Sequence, residues 1–206
     1  MDAPPATTRQ AFEEAVGFLL ATVERVPPDQ WTAPALGEWC VRDLVGHASR
    51  SLITTEAFLE NPAATVDFAG PAEYMATVLA QPGAMARAAE NGRQAGAALG
   101  DDPPGALRAL AARALPRIAA ADGAQPITTP AGGTRLDDYL ATRVFELVIH
   151  TLDLGTAIRA GVEPPPNAAR LTLALAGDIA LRTGKAPDLL LALSGRRPLP
   201  AGFSIV

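Results

Sequence analysis

The chain has 206 residues, 49% of them apolar and 19% charged, and a formal net charge of -5. That balance suits one compact domain with a sizeable core and excludes a disordered chain; without a basic stripe to neutralise phosphates, neither nucleic acid nor an anionic membrane surface is expected as a partner. Cys40 is the sole cysteine, which rules out an internal disulfide or a multi-cysteine metal site.

Sixteen of the seventeen basic residues are arginine, a GC-rich, actinobacterial-type bias when taken with the abundant alanine, proline and glycine. The opening "MDAPPATTRQ" carries an acid at position 2 and no apolar h-region. No apolar run approaches the ~18 residues of a spanning helix, so a cytoplasmic protein is expected.

Along the chain, Phe12, Val16, Leu19, Leu20 and Val23 recur at spacings of three and four, which predicts a helix over 8–26. A turn at "PALGEW" leads into a second helix from about Cys40, carrying Val41, Leu44, Val45, Ala48 and Leu52 on one face and stopping at "ENPAA". Residues 71–122 are alanine-rich, and Pro82-Gly83, the stretch 100–105 and Pro116 should cut or kink them into two or three helices. "PITTPAGGTRL" reads as a hairpin. From Leu136 to Ala160 apolar residues lie almost all round the helix, which marks a central, buried one. A further helix over 168–182 precedes "LLLAL" and "FSIV", both expected as short strands. The organisation predicted is mainly α, a four-helix bundle over 1–160 with a small C-terminal helix and short-strand extension over 161–206.

The central helix contains "TRVFELVIHTLDLG", with Glu146 and His150 four residues apart and therefore on one face. A carboxylate and an imidazole are costly to bury without partners. The only other histidine, His47, lies mid-way along the second helix within "RDLVGHASR". If the two helices face each other, His47, Glu146 and His150 converge as two nitrogens and one oxygen around a divalent metal. Asp43, four before His47, and Asp153, three after His150, are the candidates to accept the free ring N–H and orient each imidazole. Asp43 in a first helical turn, or Asp153 paired with Arg159, has a purely structural alternative. Arg143 shares the face of Glu146 and either holds it, contacts an anionic substrate or reaches solvent.

These residues carry a resemblance. "GEWCVRDLVGHAS" and "YLATRVFELVIHTLDLG" resemble the two metal-binding motifs of the mycothiol-dependent maleylpyruvate isomerase-like proteins of the DinB-like superfamily, and "ALSGRRPLPAGFSIV" is similar to the group's usual ending. The resemblance implies a DinB-like four-helix bundle in which His47, Glu146 and His150 bind zinc, with nickel or iron as alternatives. It also implies a low-molecular-weight thiol such as mycothiol, activated as thiolate, that is transferred to a small electrophile or isomerises it by addition, rotation and elimination. Arg196 and Arg197 are substrate-binding candidates by resemblance or position only. Cys40 departs from the Thr or Ser common there, and a thiol caps a helix less well than a hydroxyl. A non-catalytic, metal-stapled binding or sensing bundle is the alternative, hydrolysis by metal-bound water ranks last, and a homodimer is compatible with the apolar pattern.

Overall fold

The protein, seen in a computed structural model, is described over residues 7–206; the reading of the first six residues lies outside that range. Its elements are α1 (Thr8–Val23), β1 (Pro34–Leu36), β2 (Trp39–Cys40), α2 (Val41–Leu59), α3 (Pro71–Leu79), α4 (Ala84–Ala98), α5 (Pro103–Ala120), β3 (Pro126–Thr129), β4 (Gly132–Arg135), α6 (Leu136–Ala157), α7 (Pro166–Arg182) and α8 (Ala186–Leu193). The fold is mainly α, consistent with a DinB-like helical bundle. No helix among the described residues is long and apolar enough to cross a membrane.

Four helices form a closed ring of neighbours, α1 on α6, α6 on α2, α2 on α5 and α5 on α1, and the main core fills it. α1 begins in a capping box: Thr7 accepts from the Gln10 backbone N–H at 3.2 Å, and the Gln10 side chain accepts from the Thr7 N–H at 2.8 Å. Its buried residues Phe12, Val16, Leu19 and Val23 are the ones whose spacing predicted the helix. α6 buries residues around most of its circumference, including Leu136, Leu140, Leu147 and Leu154 with no exposed surface. Each such leucine stabilises the fold by about 1.5–3 kcal/mol relative to an exposed one. Truncating Leu147 to alanine would therefore cost about 2–5 kcal/mol once the cavity left behind is counted.

α4 lies along α2, and α7 packs against α1, α3 and α6. The three helices between 71 and 122 break at Gly83 and Gly100, both with positive φ. Pro116 does not cut α5: the helix continues through it to Ala120, because Ala114 and Ile118 on either side are locked in the core. "PALGEW" is more than a turn, since its ends pair as β1 and β2.

The two C-terminal strands are not formed. "LLLAL" lies in α8 and "FSIV" has no regular structure. The five consecutive apolar residues Leu189 to Leu193 carry no period that separates strand from helix. Pro187, in the first turn of α8, favours a helix start instead. Ile205 nonetheless packs against a small second cluster of Met75, Phe145, Leu175 and Ile179.

Candidate metal centre

α2 and α6 face each other across the core, and the chemistry-bearing residues meet there. Nε2 of His47 and Nε2 of His150 approach the same atom, Oε2 of Glu146, at 3.2 and 3.3 Å. One donor atom from each of the three residues lies within 4.8 Å of the others. The two imidazole rings are perpendicular, with centroids 4.7 Å apart. His47 and His150 side chains are each 15% exposed and Glu146 is 20% exposed, so the group is largely desolvated yet open on one side.

This arrangement fits a divalent cation. Metal bonds of ~2.1 Å in tetrahedral geometry place donor atoms ~3.4 Å apart. The two separations to Glu146 are close to that edge length. Two imidazoles and one carboxylate also match the donor set of a zinc-type site with one position left for another ligand.

The electrostatics of the three groups are strongly linked. Burial alone would raise the Glu146 carboxyl, but hydrogen bonds from His150 and His47 and the nearby Arg143 hold it well below the usual carboxylate range. Burial likewise opposes protonation of His150, yet the Asp153 and Glu146 carboxylates raise it to about 9. For His47 burial prevails, helped by His150 and Arg143, and its pKa falls below the ordinary value despite Glu146. Without a cation the carboxylates thus favour a proton on His150 and burial disfavours one on His47; a bound cation would take the place of the His150 Nε2 proton.

Asp153 is where the spacing put it: its Oδ2 lies 3.1 Å from His150 Nδ1, leaving Nε2 for the cluster. Asp43 is not. Its Oδ2 accepts the backbone N–H of Cys40 at 3.2 Å and the Cys40 thiol at 3.1 Å, while Nδ1 of His47 stays buried without a hydrogen-bond partner. Position decides this, because Asp43 stands three residues after the N-cap of α2, where the unpaired cap N–H claims it.

Arg143 forms no ion pair with Glu146; its Nε donates to the Thr142 hydroxyl at 3.1 Å, and its guanidinium carbon lies 4.9 Å from the Tyr139 ring centroid. Arg196 and Arg197 do not join the cluster. Arg197 pairs with Asp188 on α8, and the Arg196 side chain has no hydrogen bond or ion pair among the described residues.

One contributor went unread in the sequence. Trp39 stacks on His47 with centroids 4.6 Å apart and an interplanar angle of 33°, and meets His150 edge-on at 6.2 Å. Its indole N–H donates to the carbonyl of Ala89 on α4 at 3.1 Å. α4 can come this close because glycines line the contact. A Cβ on Gly46 would lie 2.1 Å from the Gly96 nitrogen, and one on Gly92 would lie 3.0 Å from the Trp39 ring and 3.2 Å from His47 Cβ. The only sequence signal for this was the recurrence of glycine at 92 and 96 in an otherwise good helix former.

Among known families, the model described as mycothiol maleylpyruvate isomerase N-terminal domain matches residues 3–155, a span that contains both helices of the cluster. No curated protein and no solved structure gives a significant match.

Proposed function

The chain belongs to the mycothiol maleylpyruvate isomerase N-terminal domain family, and from that premise we propose that it is a thiol-using enzyme in which His47, Glu146 and His150 hold a divalent cation, zinc by preference. Its thiol is a low-molecular-weight one of the mycothiol type. Its second substrate is a small electrophile, which receives the thiol or is isomerised about a cis double bond. The observation that carries this reading is the approach of three donor atoms to within 4.8 Å on two facing helices of the core.

When bound, the cation supplies Lewis acidity that lowers a thiol's pKa and makes it nucleophilic near neutral pH. The chain does the rest. Asp153 takes the Nδ1 proton of His150 in a hydrogen bond and so presents the Nε2 lone pair inward. Trp39 fixes the plane of His47 by stacking and shields that side from water. Glu146 contributes the negative charge that a divalent ion requires. The reading also places the protein in the cytoplasm, where small thiols are kept reduced.

The test begins with untagged protein. Metal analysis should find about one divalent ion per chain, and cobalt substitution should give a sulfur-to-cobalt band that depends on added thiol and persists in Cys40→Ala. Replacing His47, Glu146 or His150 should abolish thiol-dependent turnover of an electrophile such as chlorodinitrobenzene while the fold survives. A chain that binds metal but shows no thiol-dependent band and no turnover is a metal-stapled binding module instead.

A further inference from the structure

Contacts stack in levels along the seam between α2 and α6. At one level His47 meets Glu146, Nε2 to Oε2, at 3.2 Å. Two turns away the hydroxyls of Thr54 and Tyr139 share a hydrogen bond of 2.6 Å. Since α2 advances from 47 to 54 while α6 returns from 146 to 139, the helices are antiparallel. Residue 50 is therefore brought level with residue 143, each one turn from a member of the cluster. Both positions are arginine, and both side chains are partly buried.

Neither guanidinium finds a carboxylate. The Arg50 guanidinium makes no hydrogen bond or ion pair among the described residues, and that of Arg143 has only the Thr142 hydroxyl and the face of Tyr139. Arginines on the outer surface fare differently: Arg113 and Arg117 both grip Glu56, and Arg117 also reaches Glu60. Glu146, the nearest acid along α6, is already engaged by two imidazoles. Two like charges held level on facing helices repel each other, and partial burial deepens the cost. The Arg50 pKa is lowered, by burial first and also by Arg143, against the favourable influence of Tyr139, whereas for Arg143 burial is outweighed by Tyr139 and Glu146 and the pKa is raised.

The geometry points to an anion site in which Arg50 and Arg143 grip one carboxylate between them, a single helical turn from the His47, Glu146 and His150 cluster. Guanidinium forks match the two oxygens of a carboxylate and lose little hydration on binding it. The ligand class is a small carboxylic acid anion. Its assignment to the electrophile rests on the function proposed above; in that case the clamp sets the reacting carbon about one helical turn, ~5 Å, from the gripped carboxylate and toward the cluster. The Tyr139–Thr54 hydrogen bond occupies the next level of the seam, beyond the two arginines.

Calorimetric titration of maleate into the full chain, both zinc-loaded and chelator-treated, tests this, with dimethyl maleate as the uncharged match and inorganic phosphate as the other anion. Maleate is expected to bind and raise the melting temperature in both forms, phosphate to bind more weakly, and the diester not at all. Arg50→Gln and Arg143→Gln should each weaken maleate at least tenfold and lose the anion-dependent rise. Without anion Arg50→Gln should melt no lower than wild type, because burial and Arg143 both disfavour its charge; a merely structural arginine would lower it, while Arg143→Gln also loses its attraction to Glu146 and is judged on anion affinity. Arg50→Lys and Arg143→Lys keep the charge without the fork and should bind with intermediate affinity, which serves if a glutamine variant does not fold. Equal maleate affinity in wild type and variants, binding that needs zinc but not the arginines, or phosphate binding as tight as maleate overturns the proposal. Arginine-dependent maleate binding in a chain with no thiol-dependent turnover would uphold the anion site and overturn only the proposed enzyme.

Discussion

Replacing Gly46 with alanine probes the contact that seats the site. A Cβ at Gly46 would lie 2.1 Å from the Gly96 nitrogen, 2.5 Å from its Cα and 2.6 Å from the Gly92 carbonyl oxygen, all backbone atoms that cannot rotate away. α4 must move off α2 by about 1 Å to restore ordinary contact. Overpacking of this kind costs about 1–3 kcal/mol, and backbone overlap belongs at the upper end. Alanine recovers about 1 kcal/mol of helix propensity over glycine. The net loss is then about 2 kcal/mol, or a fall of about 4–8 °C in melting temperature for a domain of this size. Because Trp39 bonds to Ala89 on α4 and stacks on His47, its emission should shift as well. Differential scanning calorimetry and tryptophan fluorescence read both effects. The control is Gly17→Ala on α1, where a Cβ meets nothing within 4 Å. That variant should gain about 1 kcal/mol and melt a few degrees higher. Gly46→Ala melting at or above wild type would refute the close-packing argument.

Three other outcomes are expected. Asp153→Asn removes the carboxylate that holds His150 Nδ1 and should weaken metal affinity by about 10–100-fold, measured by competition with a chromogenic chelator, with no change in fold. Glu56→Gln should lower the melting temperature at pH 7, because Glu56 joins α2 to Arg113 and Arg117 of α5. Hydrogen bonds from Arg113, and then those from Arg117, depress its pKa against a burial effect that raises it. A depressed carboxylate stabilises the fold above its unfolded pKa and loses that contribution as pH falls through the folded value, so the gap between variant and wild type should begin to narrow at pH about 4.3 and close only below the depressed folded pKa, in thermal melts. Cys40→Ser replaces the thiol at the cap of α2, a weak hydrogen-bonding group, with a hydroxyl that caps better, and should raise stability by about 0.5 kcal/mol in urea unfolding.

Much of the fold could be read from local pattern. The three-and-four spacing along α1 and α2 and the all-round apolar surface of α6 are consequences of one helix meeting one core, so the residues that signal them are the residues that bury. The C-terminal segment gave no such signal, and its leucines went into α8 because a run without a period is decided by its caps and neighbours. Cys40 and Asp43 show the same limit at the site. An i,i+4 spacing brought Asp43 within range of His47, but a vacant N–H at the helix start is nearer and claimed it.

What the sequence alone determined is that Glu146 and His150 share one face of a buried helix and need partners there, since a carboxylate and an imidazole are costly to bury alone. Only the tertiary structure decided the rest. The antiparallel pairing of α2 with α6 set Arg50 against Arg143, and three glycines between α2 and α4 let Trp39 lie on His47. These contacts join residues up to about a hundred positions apart, and helix periodicity fixes only which face a residue occupies, not which face lies opposite.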